Sequence, residues 1–101
     1  PMDPEGVEKY LRDDRLAEVL PKLQNDFKGM AEFDAESIER AVRERAEEEG
    51  IKAAVLIHAL RMIVLGMPVS PGIFDVLELA GPEKTIARIE QYLKAEESSG
   101  H

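Results

Sequence analysis

The sequence predicts an all-α fold, a small bundle of about six short helices, and three observations lead there. Apolar residues recur at i, i+3 and i+4 along most of the chain, the spacing that lines one face of a helix. Sustained period-2 alternation is missing, and so are the Asn-Gly and Asp-Gly turns that close β-hairpins. Glycine and proline fall between the apolar runs, at Gly50, at Gly66-Met67-Pro68 and at Gly81-Pro82, and cut the second half into short pieces.

Each helix can be justified in turn. Asp3-Pro4 opens the first, with Val7, Tyr10 and Leu11 on one side. Asp13 or Asp14 is placed to cap a second, which carries Leu16, Val19, Leu20, Leu23 and Phe27. Pro21 lies inside that pattern and predicts a kink or a split, because it lacks an N–H and its ring clashes with the preceding turn. Phe33 stands as a hydrophobic staple ahead of a cap at Asp34. The third helix then presents Ile38, Val42 and Ala46 and stops at Gly50.

A fourth helix begins near Ala53 and ends in the apolar run Leu60, Ile63, Val64 and Leu65. Gly66 can take the left-handed conformation that closes a helix, and Pro68 forbids continuation. Ser70 before Pro71 is a start signal for the fifth: a hydroxyl to cap free N–H groups, then a residue with helix-ready φ. Gly72 leaves one side of the new turn open to close approach. Phe74, Val76, Leu77 and Leu79 make this helix apolar, and Gly81 ends it. Pro82 starts a sixth with Ile86, Ile89, Tyr92 and Leu93 facing inward. Leu60, Val64, Leu77 and Ile86 are expected at the centre of the core. The last residues, AEESSGH, lack periodicity and are expected to fray.

Bulk properties bound the function. A chain of 101 residues is one small domain with a modest core. The absence of cysteine excludes disulfides and thiolate metal sites and suits a reducing cytoplasm. No apolar run approaches the ~20 residues that span a bilayer, and the polar, proline-containing start does not read as a signal peptide. The net charge of −8 argues against nucleic acid, whose phosphates call for a basic footprint. Its distribution softens that objection. Residues 1–50 hold 8 Lys/Arg against 15 Asp/Glu, whereas residues 51–101 hold 5 against 6. Between Glu49 and Asp75 there is no acid at all, while Lys52 and Arg61 lie inside the gap. A site that reads a few splayed bases needs local donors more than a broad positive field.

Catalytic constellations are missing. The two histidines, His58 and His101, have no metal-binding spacing, and no Gly-rich phosphate loop ends in Lys-Ser/Thr. The run Glu44, Glu47, Glu48, Glu49 reads as a solvated face. Ser70 is explained by capping.

The pattern LR-x(4)-G-x(3)-SPG-x-F-x-VLEL-x-G at residues 60–81, followed by EKTIARIEQYL, resembles the C-terminal anticodon-binding domain of bacterial glutamyl-tRNA synthetases. The match is best from Phe33 to Leu93. Leu65 replaces a usual threonine and Met67 an often basic residue, which bears on a phosphate contact beside the turn. The resemblance implies linking helices over residues 1–32, an anticodon-binding subdomain over 33–94 and a disordered tail over 95–101. It also implies a cytoplasmic partner of the tRNA(Glu) anticodon loop, attached to the catalytic domains of a parent enzyme. Glutamate activation with ATP and Mg²⁺ belongs to those domains. The His-Ile-Gly-His and Lys-Met-Ser-Lys-Ser signatures of that chemistry are absent from this chain, so no cofactor is expected on it. A rival reading is a free-standing acidic helical module that binds a partner protein through its apolar turn.

On that resemblance Arg61 helps recognise an anticodon base, through a planar fork of donors that bonds an edge or stacks on a face. The ordinary alternative is a half-buried arginine snorkelling to solvent. His58, three residues earlier, lies on the same helix side, and the alternative there is a satisfied core histidine. Ser70, Pro71 and Gly72 offer backbone groups at a helix N-terminus, whose positive end favours polar and anionic ligands. Ile73 and Phe74 are candidate stacking surfaces, with Phe74 also a candidate for the core. Arg43 matches a position that is basic in some relatives, against the alternative of a solvated helix charge.

Overall fold

A computed structural model describes residues 15–66 and 72–99. They form five helices and, among the described residues, no strand. Helix α1 is Leu16–Lys28, α2 is Ala35–Glu49, and α3 is Ala53–Leu60, which runs directly into a π-helical turn at Arg61–Leu65. Helix α4 is Ile73–Ala80 and α5 is Pro82–Ser99. The helix expected around Val7, Tyr10 and Leu11, and the caps at Asp13 or Asp14, lie outside the described residues.

Helix α1 buries Leu16, Val19, Leu20, Leu23, Gln24 and Phe27, the face that its periodicity marks. It passes through Pro21 as one element, so of the expected kink or split the split does not occur. Pro21 and Ala17 both face solvent, so the carbonyl that loses its helical donor meets water instead of the core. Gln24, 6% exposed, donates its amide Nε2 to the Ile86 carbonyl at 3.1 Å and to Glu90 Oε1 at 3.2 Å, tying α1 to α5.

Helix α2 is capped twice by acid. The Asp34 carboxylate accepts the Ser37 N–H at 2.8 Å, as its position predicts. The Ala35 N–H is taken by Glu78 Oε1 of α4, also at 2.8 Å. Phe33, just before the cap, is half-buried and meets Phe27 edge-on, with ring centroids 5.4 Å apart. At the other end Gly50 adopts φ 71°, and the Ile51 N–H reaches back to the Ala46 carbonyl at 3.0 Å.

Helix α2 packs against α1, α3 and α4, while α5 closes over α1, α4 and the π-turn. Ile38, Val42, Leu56, Leu60, Met62, Leu77 and Ile89 have no exposed surface. Leu60 and Leu77 therefore hold the central places expected of them, whereas Val64 and Ile86 pack against the core from half-buried positions. Leu79, part of the apolar run of α4, has 87% of its surface exposed. Ile73 and Leu77 form the buried stripe of α4, and a residue two places on from Leu77 points about 200° away around the helix. Of the tail expected to fray, residues 95–99 are helical instead: α5 continues to Ser99, and the last two residues lie outside the described ones. Ala95, Glu96 and Glu97 are good helix formers, and no glycine or proline intervenes before Gly100.

An ion-pair network joins α1 to α2. Arg45 grips Asp26 with two bonds, Nε to Oδ2 at 2.8 Å and NH2 to Oδ1 at 2.9 Å. Its NH1 reaches Glu48 at 3.0 Å and Glu49 at 3.2 Å, and Lys22 pairs with Glu49 at 2.9 Å. The Asp26 bond holds the Arg45 guanidinium above its ordinary range, and the Lys22 bond holds the Glu49 carboxyl below its own. No helix among the described residues is long and apolar enough to cross a membrane.

Two predictions follow from this packing. Leu77→Ala should destabilise the fold by about 2–5 kcal/mol through lost burial and a residual cavity. Leu79→Ala should stay within roughly 0.5 kcal/mol, and chemical denaturation of the two variants measures the contrast. The second concerns acid. Asp34 and Glu49 titrate below their ordinary values of 3.8 and 4.5 when folded, held there by the Ser37 N–H and by Lys22 respectively. The folded state therefore binds protons less readily than the unfolded chain. Its stabilisation is present above the unfolded values and lost as pH falls through the folded ones. Melting temperature should drop from about pH 5 downward, and the double variant Asp34→Asn, Glu49→Gln should show a shallower drop.

Candidate nucleic-acid interface

Helix α3 presents a buried face of Leu56, Ile57, Ala59 and Leu60. His58 and Arg61 interrupt this apolar run and are both half-buried. Three residues apart, they lie on one side of the helix. One arginine amino group, NH1, lies 3.0 Å from His58 Nδ1. A guanidinium has donors only, so Nδ1 accepts and the ring proton of His58 sits on Nε2. The Nε of Arg61 is buried and has no hydrogen-bond partner among the described residues. An unpaired buried donor costs roughly 1–3 kcal/mol, more on a charged group.

The π-turn begins at Arg61 itself. Within it the consecutive Met62 and Ile63 are both buried, and α5 packs on the turn. Gly66 then ends the helix at φ 74°, with its N–H on the Met62 carbonyl at 2.9 Å. The expected terminator at Gly66 holds, since it is left-handed, while Pro68 lies outside the described residues.

On the far side of the turn the helix start differs from expectation. The N-cap of α4 is Gly72, at φ 59° and ψ 52°, and the helix begins at Ile73. Ser70 and Pro71, the expected cap and first residue, lie outside the described residues. The open side that Gly72 was expected to offer is taken by the helix's own acid. A Cβ added there would lie 2.8 Å from Asp75 Oδ2. A carboxylate in the first turn also offsets the positive end of the helix. Neutral polar groups suit this terminus better than a phosphate.

The remaining candidates divide. Ile73 is 2% exposed and belongs to the core, so it presents no face for stacking; Phe74 beside it is half-buried. Arg43 is exposed, with its Nε on Glu39 Oε2 at 2.9 Å, a pairing along its own helix rather than with Arg61 and His58. The structure thus joins Arg61 to His58 and leaves Arg43 apart. Two features went unread in the sequence. The π-turn has no recognisable sequence signal. Asp75 does have one, because an acid three residues after an N-cap is capping-box spacing. Among the described residues no group of three acids or histidines is placed to hold a metal ion.

Residues 1–93 match a family model described as an anticodon binding domain. The chain belongs to this family. It is 37% identical over 89 residues to glutamate–tRNA ligase 1 of Caldanaerobacter subterraneus subsp. tengcongensis, covering 88% of this chain and 18% of that protein. It is 38% identical, over the same length and shares, to glutamate–tRNA ligase 2 of Caldicellulosiruptor saccharolyticus. Glutamate–tRNA ligase 1 of Syntrophomonas wolfei shares 37% identity over 91 residues, 90% of this chain and 18% of that protein. The chain spans about a fifth of the length of the curated relatives it matches. The family match includes the Arg61–His58 pair, the π-turn and Gly72, so these features lie within an anticodon-binding domain.

Gly72 gives this domain a local test. Gly72→Ala should cost roughly 1–2 kcal/mol, because a side chain strains the left-handed backbone. Asp75 must also swing away from the new methyl group. Thermal unfolding measures the loss, and an unchanged melting temperature would show that α4 starts elsewhere.

Proposed function

We propose that this chain reads the anticodon loop of tRNA(Glu) as the C-terminal domain of a glutamate–tRNA ligase. The substrate follows from the ligases that it resembles. Arg61 is the observation that carries the reading: a half-exposed guanidinium just past α3 in the acid-free stretch, bonded to a histidine ring nitrogen and not to a carboxylate. Its planar fork matches the edge of a splayed base. Gly72 and the neighbouring Ser70 and Pro71 supply backbone polar groups across the turn. His58 belongs to the same interface. Arg43 is a peripheral member, and Ile73 contributes by supporting the start of α4 from within.

In such an enzyme, located in the cytoplasm, glutamate activation with ATP and Mg²⁺ takes place in the catalytic domains. This domain supplies recognition and positioning. An acidic protein can neutralise few phosphates, so binding should depend on salt only weakly.

Arg61→Ala should weaken binding to an anticodon stem-loop of tRNA(Glu) by about 1–3 kcal/mol, or roughly 5- to 150-fold. The loss should shrink when the contacted base is changed, since the specific partner is then already missing. Removing the exposed Lys28 should matter far less, because remote charges are screened within ~8–10 Å at working salt. Fluorescence anisotropy with labelled stem-loops measures all three. Equal losses from Arg61→Ala and Lys28→Ala would instead mean non-specific attraction and would favour a protein partner.

A further inference from the structure

We propose that His58 is a positioning residue, whose Nδ1 takes an N–H of Arg61 and so fixes the plane of the guanidinium that meets the RNA. The inference rests on the anticodon reading and goes beyond it by assigning His58 a role without base contact.

The geometry supplies the reason. An arginine side chain has four rotatable bonds, and ordering them on binding costs about 2 kcal/mol of rotamer entropy if they begin free. Here the group is restrained before any ligand arrives. Its Nε edge is buried, and its NH1 is held at 3.0 Å by a ring on the preceding turn of the same helix. A planar group restrained along one edge and at one amino nitrogen has its plane set. The other amino nitrogen, NH2, and the second N–H of NH1 then keep a defined direction. Preorganisation of this kind raises affinity by removing an ordering cost rather than by adding a contact.

The chemistry also restricts what can replace the histidine. Position 58 must offer an acceptor two bonds beyond Cβ, where Nδ1 stands. Asparagine places Oδ1 there. Glutamine places its oxygen one bond further out, where Nε2 stands, and leucine offers no acceptor.

The 101-residue chain and its variants, titrated with the tRNA(Glu) anticodon stem-loop, test this. His58→Leu and His58→Gln should weaken binding roughly 3- to 10-fold, the range for one hydrogen bond. His58→Asn should stay within about twofold of the parent chain. In an Arg61→Ala background, His58→Leu should cause no further loss, because nothing is left to position. Melting temperatures of the variants exclude a folding defect as the cause. A readout without RNA is the ¹⁵N spectrum of the imidazole, which should show Nδ1 as the unprotonated acceptor nitrogen and the proton on Nε2. A proton on Nδ1 would overturn the assignment outright. A loss from Arg61→Ala with none from His58→Leu, or with His58→Asn as weak as His58→Leu, would overturn the positioning role and leave the anticodon reading standing. No loss from any of these variants would overturn both.

Discussion

The stripe Ile38, Val42 and Ala46 along α2 is the constraint on which the other elements depend. All three residues are at most 1% exposed, and α1, α3 and α4 each pack on this helix. A helix that must bury itself on three neighbours needs both ends fixed, since fraying would withdraw the stripe. Its N-terminus is held by Asp34 on the Ser37 N–H and by Glu78 on the Ala35 N–H. Its C-terminus is closed at Gly50 by the bond from Ile51 to Ala46. Glu78 does more than cap, because it belongs to α4 and so links the start of α2 to the helix after the turn. The position of α4 is thereby referred back to the start of α2. His58 stands on α3, which packs on α2; Arg61 opens the π-turn, which α5 covers; and Gly72 heads α4, which packs against both.

Charge is partitioned along the same lines. The acidic half of the chain covers α1 and α2, where Arg45 and Lys22 tie carboxylates into a network that joins the two helices. Arginine suits that place, since its fork takes both oxygens of Asp26. The segment from Gly50 to Phe74 carries no acid, and its arginine has a neutral histidine nitrogen as partner instead of a carboxylate. A carboxylate there would compete with any RNA group for the same donors. An overall negative protein can present a local donor site when its acids are spent elsewhere. The acid nearest the turn, Asp75, lies against Gly72 and offsets the helix end, so hydrogen bonding rather than attraction to phosphate is the chemistry this surface favours.

Most of the fold was legible because burial follows helical period. Leu16 to Phe27, Ile38 to Ala46 and the Gly50, Gly66 and Gly81 boundaries all read directly from the sequence. Expectation failed where a local rule met its surroundings. Pro21 predicts a kink or a split, but its missing bond falls on solvent and the helix continues. Leu79 belongs to the apolar run of α4, yet the buried stripe of that helix is too narrow to include it. The tail was judged by its lack of periodicity, whereas a helix already anchored by Ile89 needs only good helix formers to extend. At the site, Arg61 and His58 were visible by spacing. Their mutual bond and the widened turn depend on backbone geometry that no residue pattern announces. The contact from Glu78 to Ala35 spans 43 residues and is invisible to any local rule.

The central claim is that RNA meets this domain at the end of α3 and across the turn, away from the acidic helices. Mapping amide chemical shifts while adding the tRNA(Glu) anticodon stem-loop tests it most directly. The account predicts that the largest changes fall at His58, Arg61, Gly66 and Gly72, with Lys22, Asp26 and Arg45 nearly still. Changes centred on α1 and α2, or spread evenly over every exposed lysine and arginine, would contradict it.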